Sequence, residues 1–173
     1  DWGGMIGMAY ATRHPEKIKR LVVLNTSAFH LPTTKPLPLG LKICRNTALG
    51  TFLVRGFNAF SAGAAHVGCK RNPMPAELKR AYRAPYNTWA NRIATLRFVQ
   101  DIPLGPTDKA DAIVTSVEAN VGKLAHVPML ICWGLKDFVF DHHFLALWEQ
   151  HFPQAEIHRY KDCGHYILED AQD

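Results

Sequence analysis

A chain of 173 residues, 47% of them hydrophobic, can bury a core as one domain or as one domain with a subdomain. Its formal charge of +5 is scattered in short pairs such as Lys70-Arg71 and Lys79-Arg80, without the long basic block or interleaved aromatics of a nucleic-acid surface. No apolar run reaches transmembrane length, and Cys44, Cys69, Cys132 and Cys163 are too dispersed for a disulfide framework or a zinc site, which fits reduced thiols in a cytoplasmic protein.

The chain opens on Asp1-Trp2-Gly3-Gly4-Met5-Ile6-Gly7-Met8-Ala9-Tyr10-Ala11. Gly3, Gly4, Gly7 and Ala11 fall near one helical face, so this helix is expected to approach a sheet closely. It reads as the second half of a strand–turn–helix elbow. With no initiating Met and no strand ahead of Asp1, the chain is expected to be an internal fragment of a longer one. His14-Pro15-Glu16 stops the helix, and Leu21 to Asn25 is a short β-branched run suited to a strand buried on both faces of a parallel sheet.

From Phe29 the texture changes. Pro32, Pro36 and Pro38 break the chain, and helical patterns follow at 41–60, 75–84, 87–100 and 108–124, with no convincing strand. Such a block between two strands of a parallel sheet reads as a lid or cap. Sheet grammar returns at Val127 to Gly134, a second buried strand. Asp141 can cap a helix whose Phe144, Trp148 and Phe152 form one apolar stripe, and Glu156 to Tyr160 is a final short strand. The expected division is therefore a core over 1–28, a helical cap over 29–126 and the rest of the core over 127–173.

Parallel strands present functional groups at their C-terminal ends. Three polar residues stand at such ends: Asp1, Asp137 and His165. His142-His143 beside Asp141 is a weak metal signal, because neighbouring residues on a helix point apart. The order nucleophile, acid, base is that of the α/β-hydrolase fold, here with a carboxylate where a serine is usual.

The chain resembles the cap-bearing α/β-hydrolases with an aspartate nucleophile, a group that holds haloalkane dehalogenases, epoxide hydrolases and the β-lactone decarboxylases of bacterial olefin synthesis. The matching stretches are Asp1-Trp2-Gly3-Gly4, the cap run from Arg92 to Leu104, Cys132-Trp133-Gly134-Leu135-Lys136-Asp137, and Gly164-His165-Tyr166-Ile167-Leu168-Glu169-Asp170. The cap run and the final block are most similar to the decarboxylases, with haloalkane dehalogenases close behind.

The resemblance implies an α/β fold with catalytic Asp1, Asp137 and His165, and no cofactor or metal. It implies a small apolar substrate, a β-lactone or a haloalkane, and other enzymes of an olefin-synthesis assembly as partners. An aspartate is ordinarily ionised near neutral pH, so it attacks an alkyl carbon without a base to deprotonate it. In hydrolytic members the histidine then activates water against the aspartyl ester, while the second carboxylate orients the imidazole. The Trp2 backbone N–H would serve the oxyanion. Its indole N–H, with Trp89 as a second donor, would face a halide or the lactone oxygens.

Asn25 occupies the place where some dehalogenases keep their acid, and an amide cannot fill that role. Epoxide hydrolases use two tyrosines from separate cap segments, whereas Tyr82 and Tyr86 lie four apart on one segment and read as a helix-face pair. The rival from another class is a non-catalytic binding protein on the same scaffold.

Overall fold

The computed structural model describes residues 1–172. Helix α1 (Trp2–Arg13) begins directly after Asp1 and ends ahead of Pro15. Strand β1 (Leu21–Leu24) follows. The chain then makes α2 (Leu39–Asn46), α3 (Ala48–Phe57), α4 (Ala59–Val67), α5 (Ala76–Arg83), α6 (Ile93–Gln100) and α7 (Asp111–Asn120), with no strand among them. It closes with β2 (Met129–Gly134), α8 (His142–His151), β3 (Glu156–Tyr160) and the single turn α9 (Ile167–Asp170). No helix among the described residues is long and apolar enough to cross a membrane.

The three strands form one parallel sheet in the order β1-β2-β3, with Leu21 opposite Met129 and Leu130 opposite Glu156. Parallel pairing requires long crossovers. One is α8, and the other is the whole helical block between β1 and β2. All three strands therefore end at the same edge of the sheet, where their following loops meet.

The core gathers Val23, Ile131 and Trp133 from the sheet, Met5 and Met8 from α1, Val114 and Val117 from α7, and the expected stripe of Phe144 and Trp148 from α8 and Phe152 at its C-terminal cap. The buried polar ends are matched: the Trp148 indole donates to the Thr26 carbonyl at 3.0 Å. His30, in the loop after β1, is gripped by Glu118 (2.9 Å) and Asp111 (3.0 Å) of α7. Burial alone would lower the pKa of this imidazole, but hydrogen bonds and charge from the two carboxylates outweigh it and raise it.

Three sequence expectations are corrected. Strand β1 is not buried on both faces: Val23 is in the core, while Val22 is 64% exposed. Successive strand side chains point to opposite faces, and only Val23's face is covered by helices among the described residues. The helix expected from Asn87 starts at Ile93. Its first turn is pre-empted by side chains: Thr88 Oγ1 accepts from the Asn91 N–H, and the Arg92 guanidinium donates to the carbonyls of Tyr86, Asn87, Arg55 and Gly56.

The glycine face of α1 does not approach a neighbour along its whole length. Gly3 and Gly7 have open space where a side chain would stand, whereas a Cβ on Gly4 would overlap the side chain of Thr26. Thr26 cannot swing away cheaply, since its hydroxyl donates to the Asp1 carbonyl. Gly4→Ala is accordingly expected to cost about 1–3 kcal/mol by overpacking. Gly7→Ala is expected to be neutral or slightly stabilising, because Ala is the better helix former. Thermal melts of the two variants would check the contrast.

Candidate active site

Asp1 and Trp2 stand where α1 begins, and Asp137 and His165 in the loops that follow β2 and β3. Asp1 is the N-cap of α1, yet its side chain makes no capping hydrogen bond. An N-cap aspartate ordinarily accepts from the first-turn N–H groups. Here one carboxylate oxygen instead lies 3.5 Å from His165 Nε2, with the side chain 59% exposed. Trp2 heads α1, so its backbone N–H is one of the first-turn donors that have no acceptor inside the helix.

Asp137 follows β2 in a tight turn. Leu135 N–H donates to the Tyr160 carbonyl and Lys136 N–H to the Cys163 carbonyl, both at 2.9 Å, which fastens the turn to β3 and the histidine loop. The carboxylate is buried and fully engaged. Oδ2 accepts from His165 Nδ1 at 2.7 Å and from Asn25 Nδ2 at 3.0 Å, and Oδ1 accepts from the Val139 N–H at 2.8 Å.

His165 thus bridges two carboxylates, Asp137 on Nδ1 and Asp1 on Nε2. An ionised carboxylate can only accept, so Nδ1 carries the proton shared with Asp137, and Nε2 is the nitrogen presented to Asp1. The ring lies between Phe140, stacked at 5.8 Å, and Tyr166, edge-on at 5.3 Å. These apolar neighbours limit water around the pair and strengthen its electrostatics.

Asn25 is the residue that sequence reasoning missed. An amide cannot act as the acid, but the structure uses it as a donor to the acid. Its backbone φ is 26°, a left-handed conformation that asparagine tolerates better than most residues. This aims the side chain across the sheet end: Oδ1 accepts from Gly134 N–H at 2.8 Å, while Nδ2 donates to the Gly134 carbonyl and to Asp137. The only signal in the sequence was an asparagine closing a buried strand.

The two tryptophans part company. Trp2 stays beside Asp1, but its indole N–H donates to the Phe98 carbonyl of α6 at 3.0 Å, and the two rings are 5.8 Å apart. Trp89 is not brought to the site. It stands in the turn before α6, 45% exposed, with the Arg55 guanidinium over its ring at 4.5 Å. No hydrogen bond or ring contact joins it to Asp1, Trp2 or His165 among the described residues, because the turn that replaces the expected helix carries it outward. Tyr82 is likewise occupied elsewhere, donating to Glu169 at 2.9 Å and packing on Tyr166.

The Asp141, His142 and His143 side chains do converge, with ligand atoms within 4.8 Å and the two rings 4.0 Å apart, rather than pointing apart as expected. Asp141 is already committed, however. It caps α8 through the His143 N–H and pairs with the buried ammonium of Lys35 at 2.5 Å. A cation there would sit against that ammonium.

A parallel sheet whose strand ends carry an Asp–His–Asp line, with a helix starting at the first of them, defines the class of protein. The family described by the α/β hydrolase fold matches residues 1–172, and the chain belongs to it. Among curated proteins, it is 66% identical over all 173 residues to a cis-3-alkyl-4-alkyloxetan-2-one decarboxylase of Shewanella oneidensis, covering 54% of that protein. It is 47% identical to one of the same name from Xanthomonas campestris, covering 57% of it. A haloalkane dehalogenase of Mycolicibacterium paratuberculosis is 28% identical over 98% of this chain and 54% of its own length.

The chain thus spans about half the length of the curated relatives it matches. Among solved structures, the haloalkane dehalogenase DatA of Agrobacterium tumefaciens superposes with a TM-score of 0.81 at 19% identity, over 99% of this chain and 60% of that one. DbeA of Bradyrhizobium elkani gives 0.80 at 22%, over 98% and 60%. At these identities the structural likeness speaks to the fold alone.

Proposed function

We propose that the protein of which this chain is part opens and decarboxylates a cis-3,4-dialkyl β-lactone to an alkene, with Asp1 as nucleophile and His165–Asp137 as its partner pair. The observation that carries this reading is the unspent Asp1 carboxylate facing His165 Nε2, in a chain 66% identical throughout to a protein named for that reaction.

The electron balance closes on these residues. Asp1 attacks the alkyl carbon of the ring C–O bond; that bond breaks, an aspartyl ester forms and the lactone oxygen leaves as a carboxylate. Loss of carbon dioxide then sends its electron pair into a new carbon–carbon double bond, and the ester C–O bond breaks to return the Asp1 carboxylate. No water is consumed. His165, with Nδ1 held by Asp137, would answer the charge that leaves and returns at Asp1.

The Trp2 indole is directed at neither a halide nor the lactone oxygens, and the lactone reaction as written does not require it. A halide-holding tryptophan needs its N–H directed at the leaving group, and here the N–H is already donated to Phe98. The helical block over 29–126 is read as the cap that covers an apolar substrate. The four cysteines are unpaired, which supports a cytoplasmic setting, and the enzymes that make the lactone are the natural partners.

The test is direct. The full-length protein, given a cis-3,4-dialkyl β-lactone and separately a 1-bromoalkane, is expected to yield alkene and carbon dioxide from the first and no bromide from the second. Bromide release without lactone turnover would overturn the assignment in favour of a haloalkane dehalogenase.

A further inference from the structure

The segment joining α4 to α5 is bound to the histidine loop by a carboxylate outside the Asp–His–Asp line. We propose that Asp170 is a positioning residue for His165: its buried side chain collects N–H groups from both the cap and the histidine loop, and so sets where the imidazole stands. The inference rests on the reading of His165 as the partner of Asp1.

Asp170 is wholly buried. Its Oδ1 accepts from the N–H groups of Arg71 (2.8 Å) and Asn72 (2.7 Å), and its Oδ2 from those of Lys70 (2.7 Å) and Gly164 (2.6 Å). Gly164 immediately precedes His165. Four donors converging on one group can all be accepted only by an anion, since a protonated carboxyl or an amide would turn a hydrogen toward one of them. Burial disfavours the charge, and the four backbone hydrogen bonds more than offset that, holding the carboxyl below its ordinary range.

The same two segments are tied a second way. The His165 N–H donates to the Gly68 carbonyl at 2.7 Å, and Asn72 Nδ2 donates to the Asp170 carbonyl at 2.9 Å. The fit leaves no room for side chains: a Cβ on Gly164 would overlap the Gly68 carbonyl, and one on Gly68 would overlap the Tyr166 ring. At the rim, Arg71 makes two hydrogen bonds of 2.9 Å to Asp162. At this end the cap is therefore latched to the catalytic loop, and Asp170 is the centre of the latch. A displacement of about 1 Å in a reacting group can cost on the order of 10²-fold in rate, so the latch bears directly on the His165–Asp1 distance.

The experiment uses the full-length protein and its Asp170→Asn and Asn72→Ala variants. Turnover of the β-lactone is followed against pH, and the His165 ring titration is followed by nitrogen NMR without substrate. For folded Asp170→Asn, kcat is expected to fall about 10- to 100-fold with KM held within about threefold, and the His165 titration to shift. Asn72→Ala removes one tie while leaving the carboxylate in place, and is expected to move both readouts less and in the same direction.

Should Asp170→Asn fail to fold, Asn72→Ala decides by the same readouts. Unchanged kcat and unchanged His165 titration in the folded variants would overturn the proposal. If the parent protein turns over no lactone, the functional reading fails, and the NMR titration still decides whether Asp170 positions His165.

Discussion

Asp1→Asn in the full-length protein is expected to lose lactone turnover by a factor on the order of 10⁴ to 10⁶, the scale seen when a covalent nucleophile is removed. Stability is expected to stay within about 0.5 kcal/mol of the parent, as for surface substitutions away from special features. The asymmetry follows from the geometry. The Asp1 side chain is 59% exposed, forms no capping bond to α1, and has the imidazole as its neighbour at 3.5 Å. An amide keeps the shape but cannot displace an alkyl oxygen. Rate assays paired with calorimetric melts would check both halves. A folded variant within tenfold of the parent would remove Asp1 from the role of nucleophile.

The second large effect is expected at Asp137. Its carboxylate accepts three hydrogen bonds and donates none, from His165 Nδ1, Asn25 Nδ2 and Val139 N–H. In Asp137→Asn the new amide must turn its NH₂ toward one side. Toward Oδ1 it meets the Val139 N–H. Toward Oδ2 it meets the Asn25 amide and forces His165 Nδ1 to become an acceptor, which moves the ring proton to Nε2. The analogous change in a serine-protease triad lowers kcat by about 10⁴, and the same order is expected here, where the Asp137 carboxylate dictates that Nδ1 is the donor.

Unlike Asp1→Asn, this variant is also expected to lose about 1–3 kcal/mol of stability, the cost of one unmatched buried donor. Asn25→Ala strands the Gly134 N–H instead and is expected to lose a similar stability but less activity, since the carboxylate and its bond to His165 remain. A melt and a rate for each variant separate the three roles: Asp1 touches activity alone, Asp137 both, and Asn25 mainly stability.

The order in which the chain lays down Asp1, Asp137 and His165 was legible because each follows a recognisable strand or heads a helix, and strand ends of a parallel sheet share one edge. Strands at Leu21 and Met129 could be read from short apolar runs, and the one at Glu156 from its place between Pro153 and the Asp162-Cys163-Gly164 loop. Pro15 and Pro32 lie on either side of the first strand, and Pro128 and Pro153 precede the second and third, since proline constrains the backbone wherever it stands.

What the amino-acid order could not carry was the choice of partner for a hydrogen-bonding group. Whether the Trp2 indole meets a substrate or the Phe98 carbonyl, whether Asn25 is idle or holds the acid, and whether Asp170 faces water or the N–H groups of Lys70, Arg71 and Asn72 are settled by segments 96 to 112 residues away in sequence. Backbone acceptors and donors are the same in every residue but proline and leave no trace in composition. The sequence by itself therefore determined the chemical groups and the sheet edge on which they stand. The tertiary structure alone decided their wiring, because a hydrogen bond is a matter of position within a few tenths of an ångström and only the packed chain sets position that finely.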